Sequence, residues 1–241
     1  MNTAHLLYRF HASIITLLVG LAASPNASAQ SSVTTQNLYD TTPNQPEHYA
    51  TMLARFRQEP DLIGSVVFLG NSITEGGRWR ELLADSTVVN RGISGDNTFG
   101  VLNRLDEITR HRPSKLFIMI GVNDISKDIP DEVIADNVRQ IINRVGAESP
   151  DTRIFVQSLL PVNPDYPGFP QHFAKENHVA HTNRLLREVA VAAGCRFINL
   201  FAAFMDQQER MDIRFTYDGL HLNQAGYELW AAYLIFQGYL D

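Results

Sequence analysis

The chain has 241 residues, with 20 Lys and Arg against 26 Asp and Glu for a formal charge of −6, and 44% of its residues are hydrophobic. That is enough apolar chain for one domain with a sizeable core, and it excludes a disordered polyelectrolyte. The acidic balance argues against a nucleic-acid partner, and the single cysteine, Cys195, excludes an internal disulfide and a cysteine-ligated zinc centre.

In chain order, the first 29 residues read as an export signal. Arg9 supplies the positive start, residues 12–23 a short apolar run and Ala27-Ser28-Ala29 a small-residue cleavage site, so the mature protein is expected to begin at Gln30 and to be periplasmic or secreted. The apolar run falls short of the ~18 residues a spanning helix needs, so no membrane span is expected in the mature protein. Residues 30–47, rich in Ser, Thr, Asn, Gln and Pro, read as a flexible arm, and residues 48–241 as the single domain. Pro46 suits the first turn of an opening helix.

Val66-Val67-Phe68-Leu69 is a four-residue apolar run that reads as a strand buried on both faces, and Gly70 opens a turn after it. Residues 87–89 form a second strand, and residues 98–110 carry Val101, Leu102, Leu105 and Ile108 at helical spacing. Residues 116–120 are a third strand. Residues 131–145 place Ile134, Val138, Ile141 and Val145 on one helical face, and residues 153–157 return as a fourth strand.

A proline-rich loop, 161–170, is expected to form irregular wall or lid material. A long helix is expected over 172–193 with Gly194 at its end, then a fifth strand over 196–200 with Cys195 as a buried thiol beside it. A last helix, capped by Asn223, should bury Leu229, Tyr233 and Phe236. Strands alternating with helices at this spacing imply an α/β fold, a five-stranded parallel sheet with helices on both faces and right-handed crossovers.

In such a sheet the loops at the carboxyl ends of the strands form one crevice. Ser72 follows the first strand, Asn90-Arg91-Gly92-Ile93-Ser94-Gly95-Asp96 the second, and Gly121-Val122-Asn123-Asp124 the third; Asp218-Gly219-Leu220-His221 lies near the C-terminus. Serine is a poor nucleophile until a base takes its proton. His221 is the candidate base, with Asp218 placed to hold its other ring nitrogen. The backbone N–H groups of Ser72 and Gly95 and the side-chain amide of Asn123 are the candidate donors to the oxyanion of an acyl-transfer intermediate.

Among the flanking residues, Arg91 and Trp79 are the candidate substrate contacts, with Arg78, Asp96, Asn97 and Asp124 as further polar partners and Tyr166 or Phe169 as stacking surfaces. His48, His111, His172, His178 and His181 read as solvated. No carboxylate and cysteine set beside the last two completes a metal site, so neither a metal nor a cofactor is expected.

These residues carry a resemblance to the SGNH hydrolases, also called GDSL-type esterases and lipases, whose ordered blocks contribute a serine, a glycine, an asparagine and a histidine. Ser72, Gly95, Asn123 and His221, with Asp218 three before the histidine, fall on those blocks. The resemblance implies a flavodoxin-like three-layer α/β/α fold and metal-free ester hydrolysis. The first block reads Gly-Asn-Ser-Ile in place of Gly-Asp-Ser-Leu, so Asn71 offers an amide oxygen but no charge beside the serine. An α/β-hydrolase elbow would need glycine where Thr74 stands.

Within the family the blocks look most like the branch related to sialate O-acetylesterases and platelet-activating-factor acetylhydrolases. That likeness implies short acyl groups, often acetyl, on a small-molecule or glycan ester. A lipase or thioesterase acting on longer chains is the alternative, and a non-catalytic binding protein the least favoured.

Overall fold

The structure is a computed structural model and describes residues 38–173 and 175–241. The expected export signal and the first part of the arm lie outside the described residues. Among the described residues, no helix is long and apolar enough to cross a membrane.

The apolar runs become the strands β1 (Val66–Gly70), β2 (Val88–Gly92), β3 (Lys115–Met119), β4 (Arg153–Gln157) and β5 (Arg196–Ile198). All pairings are parallel, in the order β2-β1-β3-β4-β5. Every residue of β1 and β3 is buried, which requires a covering layer on each face of the sheet. The chain leaves β1 toward β2 on one side and resumes with β3 on the other. The loops after β1 and β3 therefore diverge, and a crevice opens at the carboxyl edge between them.

The helices begin with α1 (Pro46–Gln58), with proline in its first turn, and two one-turn helices, α2 (Ser72–Glu75) and α3 (Trp79–Leu82). The single helix expected over 98–110 is broken into α4 (Thr98–Asn103) and α5 (Leu105–Thr109). Arg104 sits at the break, because its fully buried guanidinium turns inward to pair with Asp96 and to donate to the carbonyls of Gly70 and Arg91. After β3 come α6 (Val122–Ser126) and α7 (Asp131–Glu148), which buries the predicted face Ile134, Val138, Ile141 and Val145 and runs one residue triplet further.

The helix expected over 172–193 is two elements, α8 (Pro170–Phe173) and α9 (Glu176–Ala192). Cys195, expected to be a buried thiol, is only half-buried. Following α10 (Phe201–Phe204), the last helix α11 (Gln224–Phe236) is capped by Asn223, whose Oδ1 accepts from Gly226 N at 3.0 Å. Its buried face is Tyr227, Trp230, Ala231 and Leu234, whereas Phe236 is 87% exposed. The expected face was rotated, because the largest residues of this helix do not all lie on the stripe that meets the sheet.

Candidate active site

Asn71 starts the site. Its Oδ1 accepts from Ile73 N at 3.1 Å, the helix cap that an amide oxygen can still supply, and this sets Ser72 at the first turn of α2 with its N–H at a helix start. The turn is fixed from three sides. Asn90 Nδ2 lies 3.0–3.1 Å from the carbonyls of Thr74, Glu75 and Gly77, Trp79 Nε1 donates to Thr74 O at 2.9 Å, and Tyr227 OH donates to Ile73 O at 2.9 Å. At Gly92 a side chain is impossible, since a Cβ would stand 2.2 Å from Glu75 N.

From the other end of the chain, Thr216 Oγ1 donates to His221 O at 2.7 Å and accepts from Gly219 N at 2.8 Å, closing the turn that carries Asp218 and His221. Asp218 Oδ1 takes the N–H groups of Leu220 at 3.0 Å and His221 at 2.7 Å. Its Oδ2 is left to face His221 Nδ1 at 2.7 Å, and His221 Nε2 lies 2.9 Å from Ser72 Oγ. A carboxylate can only accept, so the ring proton sits on Nδ1 and the Nε2 lone pair faces the serine hydroxyl. That is the tautomer a general base requires.

The donor side is built from the next two loops. Gly95 has φ +77°, and Asn44 N donates to Gly95 O at 2.7 Å, laying the chain before α1 against this loop. Ser94 is held by Glu75, whose Oε2 accepts from Ser94 Oγ at 2.6 Å; His48 Nε2 meets the same carboxylate at 3.0 Å. Burial works to raise the Glu75 pKa, but the hydrogen bonds from Ser94 and His48 outweigh it and hold the group below the usual carboxylate range. Asn123 Nδ2 donates to Asp96 O at 2.8 Å, bringing the third loop to the second.

Two buried carboxylates brace these loops. Burial pushes Asp96 up to about 6 against the opposing pull of Arg104, and pushes Asp124 up to about 7 although Thr98 donates to it from both N–H and hydroxyl.

The structure thus brings Ser72, His221 and Asp218 into one hydrogen-bonded chain, and Asn44 ties the loops of Gly95 and Asn123 together, its N donating to Gly95 O and its Nδ2 to Asn123 Oδ1. It corrects the assignment of Arg91 and Trp79 as substrate contacts. Each is 2% exposed: Arg91 is bound by Glu107 and Glu59, and Trp79 stacks on Phe68 at 4.1 Å and meets Trp230 edge-on at 4.7 Å. Asp96, Asn97 and Asp124 are fully buried and likewise cannot face a ligand.

The histidines expected to be solvated are not uniformly so. His111 is buried on Glu107 and Arg91, His172 is buried against Asn123, and His178 and His181 both place Nδ1 3.2 Å from a carboxylate the sequence reading overlooked, Asp131. Of the two expected stacking surfaces, Phe169 flanks His221 with ring centroids 5.1 Å apart and edge-on, and the exposed Tyr217, which carried no expectation, stacks on the same ring at 6.0 Å. Asn44, Arg104 and His172 carry parts of the site that no motif announced, and Asn90, which opens the second block, bears a role that the block did not specify. Only Asn90 and Arg104, within a strand end and a helical pattern, offered a signal, namely polar side chains where apolar ones belong.

Comparison with known proteins finds relatives of this chain. The model of the GDSL-like Lipase/Acylhydrolase family matches residues 68–229. The platelet-activating factor acetylhydrolase IB subunit alpha1 of Rattus norvegicus is 30% identical over 173 residues, covering 67% of this chain and 69% of that protein. A solved Streptococcus pneumonia structure, described as a platelet activating factor, superposes with a TM-score of 0.74 at 29% identity, covering 89% of this chain and all of the other. An acetylxylan esterase from Geobacillus stearothermophilus, with a TM-score of 0.59 at 18% identity over 73% of this chain and 95% of its own, shares the fold.

Proposed function

Given that the chain belongs to the GDSL-like lipase/acylhydrolase family and is an ester hydrolase, we propose that it removes short acyl groups, acetyl first, through Ser72, His221 and Asp218. The observation that carries this is the unbroken run from Ser72 Oγ to His221 Nε2 at 2.9 Å and from His221 Nδ1 to Asp218 Oδ2 at 2.7 Å.

Ser72 Oγ attacks the ester carbonyl while His221 Nε2 takes its proton. The oxyanion formed is met by the N–H groups of Ser72 and Gly95 and by the free N–H of the Asn123 amide. The imidazolium, held by Asp218, returns its proton to the departing alkoxide, which leaves as the alcohol. Water then attacks the acyl-serine, His221 takes a proton from it, and the acid departs as Ser72 Oγ recovers that proton.

The preference for acetyl rests on the walls beside the donors. Asn44 and His172 are the side chains that meet Asn123. Each extra methylene is worth about 0.8 kcal/mol only where apolar surface receives it, and the exposed side chain beside Asn123, that of Asn44, is polar. The curated relatives also bear the name acetylhydrolase.

With Arg91 and Trp79 in the interior, the reading of a carbohydrate alcohol rests on Tyr217 and Phe169, whose rings lie beside that of His221. The relatives' name favours a second reading, a lipid alcohol carrying acetyl. The apolar run and Ala27-Ser28-Ala29 site support export, testable by whether the fractionated protein begins at Gln30.

The test is a series of p-nitrophenyl esters run beside acetylated sugars. The parent should favour acetyl over octanoyl in kcat/KM, and Ser72→Ala should abolish turnover while remaining folded. Turnover retained in folded Ser72→Ala removes the nucleophile assignment, and a steady climb from acetyl to octanoyl removes the short-chain reading.

A further inference from the structure

The orientation of the Asn123 amide can be deduced from its neighbours. A peptide carbonyl only accepts, so the atom 2.8 Å from Asp96 O is the NH2 group, and the amide oxygen faces the other way. There it meets His172 Nε2 at 3.1 Å and, at the longer distance of 3.4 Å, Asn44 Nδ2. An amide oxygen cannot donate, so His172 must carry its proton on Nε2. We propose that His172 is a positioning residue of the ester hydrolase site, whose single Nε2–H locks the Asn123 amide so that its second N–H is presented to the oxyanion.

The surroundings of His172 support this role. The side chain is 4% exposed and Nδ1, which then carries only a lone pair, finds no hydrogen-bond partner among the described residues. Burial, with the nearby His221 and Lys175 pushing the same way, lowers its pKa to about 4, so the ring is neutral near neutral pH and has one proton to give. An apolar side chain of similar size would fill the space without stranding a nitrogen. The polar return on placing imidazole here is therefore the one bond to Asn123. Phe169 sets the ring from the other side: His172 N donates to Phe169 O at 2.9 Å, and the phenyl edge meets the imidazoles of both His172 and His221, with centroids 5.8 and 5.1 Å apart.

The inference rests on the proposed role of Asn123, and a double-mutant cycle separates the two. In Asn123→Ala, kcat on p-nitrophenyl acetate should fall about 10²- to 10³-fold, the loss expected for one oxyanion donor. His172→Leu, which removes the donor at similar volume, should lower kcat about 10- to 10²-fold with KM within about twofold, because the oxyanion exists only after binding. His172→Gln, whose amide nitrogen reaches the place of Nε2, should recover most of that loss. His172→Asn, equally polar but one bond too short, should not, and it serves where the leucine variant fails to fold. In the Asn123→Ala background, His172→Leu or His172→Asn should change kcat by less than about twofold. Losses that multiply in that background, or equal impairment of the Gln and Asn variants, overturn the role of His172 while leaving Asn123 in place. An unaffected Asn123→Ala variant overturns the donor assignment itself, and with it this inference.

Discussion

Replacing Asp218 by asparagine changes one atom and, by the geometry of its turn, reverses the direction of a proton. In the parent, Oδ1 is engaged by two backbone N–H groups, from Leu220 at 3.0 Å and His221 at 2.7 Å. These can be met only by an oxygen, so the asparagine amide must keep its oxygen there and turn its NH2 toward His221 Nδ1. That nitrogen must then become the acceptor, the ring proton moves to Nε2, and Nε2 faces Ser72 Oγ at 2.9 Å as a donor. The base is lost although every heavy atom stays in place.

The wrong tautomer in an equivalent triad costs about 10⁴ in kcat, which is about 5.4 kcal/mol of activation free energy. Folding should change little, because both backbone bonds survive. Asp218→Ala gives the opposite balance. Two N–H groups lose their acceptor, a destabilisation of about 1–3 kcal/mol, while the ring is free to adopt either tautomer. The assay is steady-state hydrolysis of p-nitrophenyl acetate beside urea denaturation of each variant. Asparagine should be the slower enzyme and alanine the less stable protein. Asn within about tenfold of the parent in kcat, or alanine slower than asparagine, refutes the tautomer argument.

Trp79 is a core residue in this structure, so Trp79→Ala should cost about 3–5 kcal/mol in urea unfolding, and Trp79→Phe should leave KM for an acetylated sugar within about twofold. A raised KM at unchanged stability returns the ring to the substrate. Asp124 bears on pH. Its folded value of about 7 lies above the ordinary 3.8, so the folded protein holds this proton longer than the unfolded chain does. Its contribution to stability is present below about pH 4 and falls away as pH rises to about 7. The stability of the parent relative to Asp124→Asn should therefore decline across that interval in urea midpoints, and a flat or rising difference rejects the assignment.

The loops of the site were legible in the sequence because strand ends punctuated by Gly70, Gly92 and Gly121 place their followers on one edge of a parallel sheet, whatever the side chains do next. Direction was not legible. Arg91 and Trp79 adjoin the motifs in sequence, but contacts distant in the chain turned them inward: Glu107 and Glu59 for the guanidinium, Phe68 and Trp230 for the indole. Periodicity found the buried face of α7 and missed that of α11, where apolar residues occupy nearly the whole circumference and leave no stripe to read. Arg104 broke a helix that spacing predicted to be continuous, since a buried ion pair with Asp96 is invisible to a local pattern. His172 opens a segment expected to be helical and Asn44 lies in the irregular arm, and neither position foretells that the two side chains meet a single amide oxygen.

Ser72 and His221 are 149 residues apart, and the contacts that clamp their two segments together include both tryptophans of the chain. Trp79 follows the serine turn, Trp230 lies on the helix that follows the histidine, and their rings meet edge-on at 4.7 Å. Intrinsic fluorescence is therefore a native reporter of the closure event, free of any attached dye. In a stopped-flow refolding experiment the last change in tryptophan emission should keep time with the return of ester turnover, since joining the first strand's turn to the last helix spans the longest loop the site requires.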